Sequence, residues 1–189
     1  MKLRSTVAAI AGVVIALTGA TAANADDTPK VDRYEFAHIS LGQTFDKTIA
    51  RFDSKGTQVE TYKEGGYAHQ IRAWQVTTSE LGFVYLDLVK VNGVWRVNGK
   101  LAAWLDGPKQ TTDKMTKAEY RSFAKGATIA EVRAIAGTAG RTQIELRDSE
   151  TKTLTVEWPV PGSEYGYTSV DFTWKDGAFR VASKTAVWG

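Results

Sequence analysis

Apolar and polar positions along the chain follow two rhythms, one helical and one extended. Phe45, Ile49 and Phe52 recur at spacings of four and three after Thr44, and Ile129, Val132 and Ile135 recur at spacings of three after Thr128. Each set predicts a short amphipathic helix. Thr128 and Glu131 have the spacing of a capping box, Thr44 can accept from the free N–H groups of a helix start, and Gly56, Gly137 and Gly140 end the two segments. Tyr120 to Ala124 predicts another short helix, so each half of the chain opens as helix-loop-helix.

Two-residue alternation then takes over. Runs at 58–63, 68–77, 82–91 and 94–104, and again at 142–148, 151–158, 165–175 and 178–188, read as strands. Asn92-Gly93 and Asp176-Gly177 favour two-residue primed turns, which fix a register: Leu88 faces Val97 and Phe172 faces Val181. Facing residues share a side of the sheet, so Leu86, Leu88, Trp95 and Val97, with Val170, Phe172, Phe179 and Val181, form the helix-covered core. Trp74 and Trp158 belong to it as well. The opposite face carries Tyr85, Asp87, Arg96 and Lys100 in the first half and Asp171, Arg180 and Lys184 in the second. Strict alternation adds Trp104 and Trp188 to that outer face, and a bulge near the strand end would reverse them.

The two halves also match in register. At an offset of 84, the interval from Trp104 to Trp188, Gly93/Gly177, Arg96/Arg180, Val97/Val181 and Lys100/Lys184 coincide without a gap. Upstream, Gly42/Gly126, Thr44/Thr128, Gly56/Gly140 and Trp74/Trp158 coincide too. The pattern predicts a signal peptide at 1–25, a flexible leader at 26–33, a repeat at 34–105, a polar linker at 106–117 and a second repeat at 118–189. The expected fold class is α+β. Each repeat packs helix-loop-helix on a four-stranded antiparallel sheet, and the sheets join into one concave surface.

Composition narrows the function. Lys2 and Arg4, the apolar run at 7–17 and Ala23-Asn24-Ala25 predict an export signal cleaved after Ala25, leaving a secreted chain with no membrane anchor. Loss of Lys2 and Arg4 lowers the net charge from +3 to +1, so no nucleic-acid surface is indicated. With no cysteine, disulfides and thiolate chemistry are excluded. The two histidines, His38 and His69, read as boundary residues, and no HExxH, phosphate loop or catalytic triad spacing appears. No catalytic residue, metal or cofactor is expected, which leaves binding. The candidates are the outer-face residues above, the turn at 63–67 with Glu64 and Tyr67, and the proline-stiffened loop at 158–167 with Tyr165.

The tandem helix-loop-helix plus four strands, the Gly-x-Thr helix starts at 42–44 and 126–128, the Asp176-Gly177 turn and a Trp in the final strand resemble the β-lactamase inhibitory protein family. The resemblance implies a secreted inhibitor that grips a class A β-lactamase, or a related penicillin-binding enzyme, with its sheet. It places Trp188, Asp171 and Thr173 among the contacts, and the turn bearing Glu64 as the element that blocks the active site. A cell-envelope structural or assembly module that holds a wall or membrane protein is the alternative.

Overall fold

The protein was analysed as a computed structural model that describes residues 29–106 and 114–189. The expected signal peptide at 1–25 and most of the expected linker lie outside the described residues. The elements run α1 (Arg33–Ala37), α2 (Phe45–Phe52), β1 (Thr57–Glu64), β2 (Tyr67–Gln75), β3 (Phe83–Val91), β4 (Val94–Ala103), α3 (Lys117–Ser122), α4 (Ile129–Ala136), β5 (Arg141–Arg147), β6 (Lys152–Pro159), β7 (Tyr167–Lys175) and β8 (Ala178–Val187). The class is α+β. The eight strands form one open antiparallel sheet in sequence order, β1 to β8.

The helices start where the caps dictate, with one exception. Asp32, Thr116 and Thr128 each close a capping box with the glutamate three residues on, whereas Thr44 makes no side-chain cap. The expected leader reaches into the fold: Val31 is buried and bridges Val76.

Both helix pairs cover the same side of the sheet. Phe36 and Phe52 pack on Trp74, Leu86, Leu88 and Val97, while Phe123 and Val132 pack on Leu154, Val156, Trp158 and Phe172. The rings meet edge to face, Phe36 on Trp104 at 5.7 Å and Phe52 on Trp74 at 5.2 Å. Gly56 and Gly140, both at positive φ, lie so close against Trp74 and Trp158 that a Cβ has no room. The continuity of the face across β4 and β5 follows from register. Ala102, facing the core, pairs with Glu145, and Glu145 pairs with the core residue Leu154.

The register expected from the two turns holds as far as Leu88 with Val97 and Phe172 with Val181, then slips by one residue. Asn98 and Ala182 are the extra residues. Each bulge reverses the alternation of everything that follows it. Four outer-face expectations are corrected in consequence. Lys100 turns to the helix side, where its ammonium donates to the Phe36 carbonyl at 3.0 Å, and Lys184 donates to the Phe123 carbonyl at 2.6 Å. Trp104 is buried against Phe36, with the Arg33 guanidinium 4.6 Å from its ring, and Trp188 packs edge-on against Tyr120 with Lys117 over it. Strands β1 and β5 carry bulges of their own, at Val59 and Gln143.

A bracket of charge stands at the centre of the sheet. Asp106, with its side chain 2% exposed, pairs with Arg33 at 3.1 Å and with Arg141. Arg33 also donates to the Thr142 carbonyl at 2.7 Å. Burial raises the Asp106 carboxyl, but the hydrogen bonds and charges of Arg141 and Arg33 outweigh that and bring it down to about 2.

Candidate functional site on the helix-free face

The side of the sheet away from the helices is built by the alternate residues of each strand. Along β3 these are Phe83, Tyr85, Asp87, Val89 and Val91. Across the middle strands, Tyr85 faces Leu101, Leu101 faces Leu146, and Ala103 faces Ile144. Phe83 and Tyr85 lean together with ring centroids 4.6 Å apart. Ala103 is buried, Phe83, Tyr85, Leu101, Ile144 and Leu146 are half-buried, and the helices pack on the other side of the sheet. They form an apolar strip at the join of β3, β4 and β5.

At one end of the strip the face deepens into a cleft of about 580 Å³. Its walls are the β1–β2 hairpin tip, with Glu64 and Tyr67, and the β5–β6 turn at 148–151; its floor is His69, Asp87, Val89 and Asn98. The β5–β6 wall is held open by Asp148, whose carboxylate accepts from the backbone N–H groups of Glu150 at 2.8 Å and Thr151 at 2.6 Å.

The floor is a polar network centred on Asp87. Asn98, the bulge residue, donates to it at 2.7 Å, and the His69 ring lies 3.2 Å away through Nδ1. With a carboxylate as acceptor, Nδ1 carries the proton. Tyr62 stacks on His69 at 4.7 Å, nearly parallel, and His69 is 6% exposed. Burial, followed by the charge and hydrogen bonding of Asp87, pushes the Tyr62 phenol up to about 12. Tyr62 therefore stays protonated at neutral pH. Asp87 places a carboxylate on the cleft floor, and Glu64, Asp148 and Glu150 add three more in its walls. Such a cleft suits a cationic group. Among the described residues no cluster of three or more His, Cys, Asp or Glu could hold a metal ion.

No protein-family model matches the chain, and no curated protein matches it either. Function must be read from the arrangement of these side chains.

Of the residues singled out in the sequence, Glu64, Tyr67 and Asp87 come together at the cleft, and Tyr85 adjoins it along β3. Asp171 shares the face near the far edge, accepting from Thr155 at 2.8 Å and Ser183 at 2.5 Å. Arg96 and Arg180 are engaged locally: their guanidinium groups donate to the carbonyls of Gly42 at 3.0 Å and Gly126 at 3.2 Å, tying β4 and β8 to the turns before α2 and α4. Tyr165, 81% exposed, stands apart in the β6–β7 connection. Lys100, Trp104, Lys184 and Trp188 are on the helix side. The sequence reading missed His69, Tyr62 and Asn98 as site residues, and with them the 148–151 wall. The Gly65-Gly66 turn held a usable signal, because pairing Glu64 with Tyr67 sets Tyr62 opposite His69.

Proposed function

We propose that the chain is an exported protein-binding module made of two copies of one αα-ββββ unit, whose helix-free face forms a single concave docking surface. The two-copy reading is supported by details that recur at the offset of 84. The bulges at Val59 and Asn98 recur at Gln143 and Ala182, and the Thr44–Arg96 bridge recurs as Thr128–Arg180. Lys100 on the Phe36 carbonyl recurs as Lys184 on the Tyr120 carbonyl. Export is supported by the sequence of residues 1–25.

The observation that carries the binding reading is the uncovered strip of Phe83, Tyr85, Leu101, Ile144 and Leu146 running into an acidic cleft. An apolar centre with a polar, charged border is the composition of a protein interface. The module acts by shape and charge, without catalysis or cofactor. The resemblance to β-lactamase inhibitory proteins names the partner: a class A β-lactamase, with Glu64 and the 63–67 turn entering its active site.

The test is nitrocefin hydrolysis by a panel of purified class A β-lactamases at micromolar concentrations of this chain. Inhibition is expected, and Glu64→Ala should weaken it about tenfold, equivalent to about 1.4 kcal/mol. Absence of inhibition across the panel removes the inhibitor reading and leaves a module that holds an envelope protein on the same face.

A further inference from the structure

The outer edge of β4 is used in two parts. Val97 exchanges backbone bonds with Gly42 and Gln43, at 2.7 and 2.9 Å, and Lys100 to Ala103 then pair with Ile144 to Arg147 of β5. Strand β8 has the first part only. Val181 exchanges bonds with Gly126 and Ala127 at 2.9 and 2.8 Å, but on the side away from β7 residues 184–187 border no described strand, since β8 ends the sheet. At the opposite end β1 also presents an edge with no described neighbour. The residues standing 84 positions before Ile144 to Arg147 are Glu60 to Lys63, and they lie on that edge. One chain therefore displays, at its two ends, both sides of a junction it already contains in its middle.

We infer that copies of this chain associate head to tail, β8 of one pairing antiparallel with β1 of the next in the geometry of β4 on β5. The register sets Lys184 opposite Lys63, Thr185 opposite Tyr62, Ala186 opposite Thr61 and Val187 opposite Glu60. Two further features fit this occupant. In the internal junction the bulged Gln143 is 4% exposed, and its carbonyl accepts from the Trp104 N–H at 2.7 Å. Strand β1 bulges at the corresponding Val59, which is 53% exposed, and Val187 is 49% exposed. Both are apolar side chains exposed on the two end strands of the sheet. The intermolecular joint is weaker than the internal one, because Thr57 stands where Arg141 completes the bracket on Asp106. The contact joins two different edges and so can repeat along a row of copies. It is independent of the partner proposed above.

Sedimentation velocity over micromolar to millimolar concentrations of the purified chain tests it, with Val59→Asp and Val187→Asp as exposed substitutions that block one edge each. Circular dichroism and the denaturant midpoint verify that both variants fold. The native chain should form dimers and longer species as concentration rises, and each variant alone should remain monomeric. An equimolar mixture of the two variants should recover dimers and nothing larger, since only one junction is intact. A native chain that stays monomeric throughout overturns the inference and leaves these edges to an extended peptide of another protein. Variants that assemble as the native chain does also overturn it, since the contact would lie elsewhere.

Discussion

Lys100 and Lys184 follow matching bulges at Asn98 and Ala182, as do the tryptophans four residues beyond them, yet their surroundings differ. Strand β4 is flanked on both sides, so Lys100 is 5% exposed and Trp104 is 2% exposed. Strand β8 has one neighbour, and Lys184 and Trp188 are only half-buried. The bulge decides the side of the sheet to which a side chain points; the presence of a neighbouring strand decides how far it is removed from water. The floor of the helix-free face differs in the same way. Asp87 is enclosed by His69, Asn98 and Tyr62, whereas Asp171 is exposed and held only by two hydroxyls.

The tryptophan pair gives the largest test of this contrast. Trp104→Ala should cost about 3–5 kcal/mol of unfolding free energy, the range for a fully enclosed large ring, and Trp188→Ala roughly 1–2 kcal/mol. Denaturant midpoints at unchanged m-value measure both. Equal losses would mean that the flanking strand contributes nothing to the burial of Trp104.

Next in size is the charge bracket, which the second half lacks among its described residues. The Asp106 carboxyl, at about 2 in the folded chain against an ordinary 3.8, contributes stability fully present above pH 3.8 and lost as pH falls through about 2. Linkage puts that contribution at about 2 kcal/mol. Asp106→Asn should lose about this much at pH 7 and flatten the stability profile between pH 4 and 2, as followed by urea unfolding across that range.

The smallest effect belongs to the lysines. Loss of solvation lowers the Lys100 ammonium below its ordinary 10.5, so the unfolded chain binds the proton more tightly and stability rises as pH climbs from the folded value toward 10.5. Lys100→Met should abolish this alkaline rise while changing stability at pH 7 by less than about 1 kcal/mol. The Phe36 carbonyl keeps the Ile39 N–H as a donor, which is why the loss is small. Lys184→Met should change the alkaline profile less, since its environment is wetter.

The strands, the two primed turns and the cap at Thr128 were legible from local sequence because each is specified within a few residues. The core followed from period-two alternation only up to the first bulge. Nothing local in Val97-Asn98-Gly99 announces that Asn98 is an extra residue, and one slip sent Lys100 and Trp104 to the other face. Val31 was read as leader for a related reason: its partner Val76 lies far along the chain, and burial there is a property of the assembled sheet. Half of the cleft was legible, since Glu64 and Tyr67 flank a Gly-Gly turn. Its 148–151 wall was not, because the wall arrives through the pairing of β4 with β5 rather than through any neighbour in sequence.

The claim that a protein docks on the helix-free face is tested most directly by calorimetric titration of a purified class A β-lactamase with three forms of the chain. The native form and Ala50→Asp, a change on the exposed side of α2, should bind alike. Tyr85→Asp, which puts a charge in the middle of the apolar strip, should abolish binding at micromolar concentrations. Full binding by Tyr85→Asp, or its loss in Ala50→Asp, would contradict the account.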